Sequence, residues 1–302
     1  MSLPRRSKEI EQPGWLQGRG QPPQIAWRLG TDGQLVDFCY AREAAEVILT
    51  DSSPSLVRAT RSGQIQAMIR LKDPLQSLVW SDDGSAGAAI VNNNTLVRFD
   101  RMLQTEFMVS LPDTAQALAI SPYGNHIAVG LLSGMNLIFN ERKKKVAQFE
   151  TVRPLAYMQF CGTEPLLFAA AEHGLLCCHD LQGAEVWQER LWSNVGGLEI
   201  AGDGSFLYLP GFSHGIQTFG GDGAPVGSYV LDGTIDSLAV SYEPQRLFAG
   251  SIERQLYWLD SDGELIWTTQ LSDDIVRLAC DPLGEWGLVG LQNEGLCCLD
   301  WR

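Results

Sequence analysis

The stretch LDSDGELIWTTQL, residues 259–271, has two distant counterparts in the chain, HDLQGAEVWQERL at 179–191 and QIAWRLG at 24–30. Their tryptophans, Trp27, Trp187 and Trp267, stand 160 and then 80 residues apart. Both spacings are multiples of 40, and self-similarity at about that period marks propellers and solenoids. Cutting the chain at 75, 115, 155, 195, 235 and 275 gives segments that align without gaps, among them LQSLVWSDDGSAGAAIV, AQALAISPYGNHIAVGL and IVRLACDPLGEWGLVGL. A less regular segment, LVDFCYAREAAEVILTD, starts at 35.

Columns of these segments then agree. The fourth holds Phe38, Leu78, Leu118, Met158, Leu198, Leu238 and Leu278, and the sixth holds Tyr40, Trp80, Ile120, Phe160, Ile200, Val240 and Cys280. Small residues such as Ala119 and Ala239 sit between them. That period of two predicts a strand with bulky side chains on one face and small ones on the other. Small side chains belong where strands crowd a narrow axis. The tetrapeptides SPYG (121–124), DPLG (281–284) and SDDG (81–84) read as tight turns, because proline presets φ and glycine accepts positive φ. A second strand follows, then a third with the pattern Leu-x-x-x-Asp (LCCHD at 176–180, LYWLD at 256–260), another turn at Gly183 or Gly263, and a fourth strand carrying the tryptophan column.

Four short antiparallel strands per unit and seven units, with no helical period, predict an all-β, seven-bladed β-propeller. The last repeat, from 275, lacks 12 residues for its fourth strand, and residues 23–34, PQIAWRLGTDGQ, supply that number with Trp27 in the right column. The last blade is therefore expected to be closed by the N-terminal strand, which removes open sheet edges. Residues 23–302 form one propeller on this reading. Residues 1–22 are read as a mobile tail whose removal is tolerated, with Ile10 and Trp15 as side chains able to dock.

AGSIERQLYWLDSDGELIWTTQL (249–271) resembles the repeats of the WD-repeat and quinoprotein (PQQ)-like propeller superfamily, through Asp260, Gly263 and Trp267, repeated as Asp180, Gly183 and Trp187. LAISPYGNHIAVG (118–130) looks more like a WD repeat, although no Trp-Asp dipeptide stands at its usual place. The resemblance covers 23–302 and implies the fold, but its members include dehydrogenases, scaffolds and sensors. Quinoproteins of this kind typically have eight blades, a calcium site and long loops, and their adjacent-cysteine pair lies in a loop. Here the repeats number seven, and Cys177-Cys178 and Cys297-Cys298 fall in third strands.

Composition narrows the function classes. A formal net charge of −14 argues against general nucleic-acid binding, which rests on neutralising phosphates. The basic run ERKKK (141–145) falls on a turn. Neither a membrane-spanning apolar run nor a signal-peptide pattern is present, and seven cysteines fit a reducing compartment, so a cytoplasmic location is expected. No P-loop, G-x-S-x-G, H-E-x-x-H or EF-hand motif occurs, so neither cofactor, metal nor catalytic residue is assigned.

Two candidate sites remain. Asp37, Tyr157, Gln159, Glu199 and Arg277 intrude among the small residues of the axis. Gln159 and Glu199 share a column in adjacent blades, and Arg277 shares one with Asp37 across the closing seam, where a salt bridge is expected. The second site is the rim formed by the strand 2–3 and strand 4–1 connections, with Arg153, His173, Trp192, Phe212, His214, Arg254, Asp273 and Asp274. Aromatic and arginine side chains there fit binding of a protein or peptide, though they could also fold back on the blade. The expected function is a non-catalytic interaction scaffold, monomeric or part of a hetero-complex. A small-molecule binder or quinoprotein-like enzyme using the channel is the alternative.

Overall fold

The computed structural model describes residues 12–211 and 215–302. Seven sheets each run from a first to a fourth antiparallel strand. Blade 1 contains Leu35–Ala41, Glu46–Asp51, Ser55–Thr60 and Ile65–Arg70, and the first strands of blades 2 to 7 begin at Leu75, Ala115, Tyr157, Glu199, Ile235 and Ile275. Blade 7 takes its fourth strand from Gln24–Leu29, which pairs with Gly295–Asp300. The propeller, its blade number and its closure are those the repeat arithmetic predicts.

Blades cohere because each apolar cluster joins two neighbours. Ile48, Leu56, Leu75 and Leu78 bridge blades 1 and 2, and the series continues round the ring. Trp27, Trp286 and Leu288 with Leu35, Phe38 and Val47 close it between blades 7 and 1. Neighbouring residues of one strand face opposite clusters: Cys177 and Cys178 lie in different ones, as do Cys297 and Cys298. That is the alternation expected of a strand. In the first strand of five blades a bulge falls between the first and third positions, as between Ile275 and Arg277. The extra residue bends the strand and re-aims the third side chain.

The tryptophan column does more than cover its own blade. Trp27 Nε1 donates to the Arg61 carbonyl of blade 1 at 2.7 Å, and Trp187 Nε1 to the Gly221 carbonyl of blade 5 at 3.0 Å. Tyr229, two residues beyond the column in blade 5, donates to Ser261 of blade 6 at 2.9 Å. The three acceptors occupy one repeat position, in the strand 3–4 turn of the following blade. The turn glycine lets the aromatic approach: a Cβ at Gly63, where φ is 76°, would stand 2.7 Å from the Trp27 ring.

Between blades 6 and 7 this clasp takes a different form. The matching position of blade 7 is Trp301, which stacks on Trp258 (4.1 Å between centroids, 3° between planes) and meets Trp267 edge-on at 5.7 Å. Residues 14–20 lie over the same place. Gly14–Gln17 forms one 3-10 turn and Arg19–Gly20 pairs with Thr268 and Trp267 as a fifth strand of blade 6. Leu16 is 2% exposed, Trp15 packs on the same cluster, and Thr269 Oγ1 donates to the Trp15 carbonyl. A Cβ at Gly20, where φ is 100°, would lie 2.2 Å from the Ile266 carbonyl oxygen. The expectation of a mobile tail over 1–22 is therefore corrected for residues 14–20. They are held because Trp267 and Trp258 would otherwise be uncovered. Ile10 lies outside the described residues.

Candidate functional site

First strands of all seven blades line a central pocket of about 190 Å³. Its walls come from the fourth to eighth columns, and only Arg277 belongs to the third. That side chain is a crossbar. From blade 7 its Nη1 reaches Asp37 Oδ1 of blade 1 at 2.9 Å, the Phe38 carbonyl at 3.2 Å and the Leu78 carbonyl of blade 2 at 3.3 Å. Asp37 in turn accepts from the Leu78 and Phe38 amides at 2.8 and 2.9 Å. The salt bridge across the seam is thus present, and it also engages a third blade. Arg277 forms the floor, and the pocket extends from it toward the strand 1–2 turns. There Arg42 grips Asp82 through two bonds of 3.0 Å, and its guanidinium stacks on Tyr242.

Of the five axial residues singled out by sequence, Asp37 lies behind the floor while Arg277, Gln159 and Glu199 line the pocket; Tyr157 is not among its walls. Burial pushes Tyr157 up to about 12, with Glu172 and Asp236 adding to the shift. Burial also raises Asp37, against the opposing pull of Arg277. Glu199 is pushed up to about 7 by burial, with Arg277 and Arg42 pulling the other way.

The Glu199 shift predicts a pH dependence. Its folded value of about 7 exceeds the ordinary 4.5, so between those values the folded chain keeps a proton that the unfolded chain has lost. Stability should fall by about 3 kcal/mol as pH rises through that window, and level off above it. Asp236, raised to about 6 by burial, adds a slope of the same sign at lower pH. Urea titrations from pH 4.5 to 8 should show the decline in the wild type and a shallower one in Glu199→Gln. Parallel curves would contradict the assignment.

On the opposite rim the predicted residues divide. Asp273 is buried and accepts from the Asn293 and Glu294 amides at 2.7 and 3.0 Å, which fixes the strand 2–3 connection of blade 7. Arg254 is paired with Asp274 at 2.7 Å. His173 Nδ1 stands 2.9 Å from Asn194 Oδ1, joining two connections. Phe212 and His214 lie outside the described residues. Trp192 is 92% exposed, with Arg190 over its ring at 5.4 Å. It does not fold back on the blade.

Sequence reasoning missed two features of these surfaces. The Arg42–Asp82 pair had a signal, since both residues hold the eighth column of adjacent blades. The other is an apolar series along the rim of blades 3 to 6: Leu132, Val152, Trp192, Val230 and Ile252, with Val152 86% and Val230 87% exposed. Each is unremarkable alone, and only the ring brings them to one edge. Compared with models of known protein families the chain matches none, and no curated protein matches it either.

Proposed function

We propose that the protein is a non-catalytic interaction propeller whose rim over blades 3 to 6 binds an extended segment of a partner protein, apolar at its anchor and acidic beside it. Trp192 carries the reading. An indole left almost wholly in water gains by desolvation in a partner's pocket, and tryptophan and arginine dominate binding hot spots. Arg153 lies on the connection that carries Val152 and Arg190 on that of Trp192, and neither has an ion pair among the described residues. On a chain of net charge −14 they offer a local place for a partner's carboxylates. The ring holds these connections rigid, so little ordering entropy is lost on binding.

The Asp-turn-Gly-Trp spacing supports placing the chain within the WD-repeat and quinoprotein-like group of propellers. The pocket weighs against a tricyclic quinone: about 190 Å³ is below the roughly 300–1,000 Å³ of drug-sized sites, and its walls are the packed first strands themselves. No helix among the described residues is long and apolar enough to cross a membrane.

Trp192→Ala should abolish partner capture while leaving the melting temperature unchanged within about 2 °C, as for a surface substitution. Reversing charge with Arg153→Glu and Arg190→Glu should weaken the same complex and reduce its sensitivity to salt. A partner retained at full stoichiometry by both variants would remove the rim from consideration.

A further inference from the structure

The central pocket carries an acid and a base that do not satisfy each other. Arg277 spends Nη1 on Asp37, Phe38 and Leu78, which leaves Nε and Nη2 without a partner among the described residues. Its side chain keeps 42% exposure although it lies inside the ring. Among the described residues Glu199 forms no ion pair, and its neighbour in the same column, Gln159, lines the same wall. The Nε and Nη2 hydrogens of an arginine form a planar two-donor fork that matches a carboxylate. Glu199 faces the same space as an acceptor, with the Gln159 amide beside it.

We propose that this pocket binds a small zwitterion of the amino-acid type, its carboxylate on the open edge of Arg277 and its ammonium group on Glu199 and the Gln159 side-chain oxygen. The two unpaired groups, a donor fork and a carboxylate, select this class over simpler ions. With Glu199 ionised, the groups at the pocket are Arg42 and Arg277 against Asp37, Asp82 and Glu199, an excess of one negative charge. An anion alone would fill the arginine fork but meet Glu199 unpaired. A cation alone would neutralise Glu199 and leave the fork empty. A zwitterion satisfies both. Size agrees: a cavity of about 150 Å³ accommodates benzene, so 190 Å³ suits a ligand of roughly six to ten heavy atoms. Apolar walls from Val79, Ala119, Ala239 and Ala279 leave room for a short aliphatic side chain. The site is independent of the rim, from which Arg277 separates it.

The test is calorimetric titration of the full chain with glycine, alanine, serine, valine and aspartate, each to about 10 mM, where a site with a Kd of about 1 mM would be nine-tenths filled. At least one should bind saturably at a stoichiometry of one. Propionate and ethylamine, the two halves of alanine, should each bind at least tenfold more weakly than the best amino acid. Glu199→Gln, which removes the acceptor charge and retains the shape, should weaken binding at least tenfold. Arg277→Lys, which keeps a charge but loses the fork, should do likewise. No saturable heat from any of the five would overturn the site and leave water as its occupant. So would propionate or ethylamine matching the best amino acid, or a folded Glu199→Gln that binds like the wild type.

Discussion

Removing residues 1–34 should yield an insoluble or aggregated chain, while removing residues 1–22 should leave a folded but weakened ring. The longer deletion takes away Gln24–Leu29, so the third strand of blade 7 loses its ladder and becomes an open edge. It also uncovers Leu35, Phe38 and Trp286, which Trp27 helps to bury. Unpaired edges above a bared apolar cluster are aggregation sites. The shorter deletion keeps that strand but strips blade 6 of Leu16, Trp15 and the Arg19–Gly20 pairing. Burying two such side chains is worth about 3–5 kcal/mol, so the shorter form should melt well below the full chain and remain monomeric. Size-exclusion profiles and melting curves of the three forms decide the matter. If 23–302 melts with the intact chain, the segment over Trp267 contributes nothing. If the two truncations behave alike, the closure by residues 24–29 is wrong.

The contrast between these truncations marks how far the sequence was legible. The period of 40, the inward columns and the 12-residue deficit of the last repeat are local quantities, repeated often enough for one chain to reveal them. Strand pairing within each blade follows from them, because register and alternation are enforced by the buried face. The cover over Trp267 is not periodic. Residues 14–20 occur once, and within them only Trp15, an aromatic amid polar residues, hinted at docking.

The candidate surfaces were legible to a similar degree. Asp37 and Arg277 share a column, so their pairing across the seam could be expected. The further reach of Arg277 to the Leu78 carbonyl could not, because column arithmetic places a residue on a face without saying how far a long side chain extends. Asp273 marks the converse limit of column reading. A carboxylate in a connection reads as available for a partner, but the amides at 293 and 294 need an acceptor, and Asp273 is consumed in holding its own turn.

Trp267→Ala should be the most damaging single substitution in the tryptophan column, at about 3–5 kcal/mol, because a fully buried indole leaves a cavity that rigid neighbours cannot close. The neighbours here are rings: Trp258 pairs with it across the strands and Trp301 stands edge-on. Both are held by further contacts, since Trp301 also stacks on Trp258 and donates from Nε1 to the Gln21 carbonyl at 3.2 Å. Removal would therefore loosen three elements together, the blade 6 edge, the segment 14–20 and the end of the third strand in blade 7. Trp27→Ala should cost somewhat less in packing, for that ring is 9% exposed, but it also deprives the Arg61 carbonyl of its donor. Trp187→Ala, at a partly exposed ring, should cost least. Urea denaturation of the three variants should rank them 267, 27, 187 in order of lost stability. Trp267→Ala should also raise the protease sensitivity of the bonds near Gly18, which neither of the others does. An equal loss at all three positions would mean that the tryptophans serve only their own strands and that the cover over Trp267 carries no load.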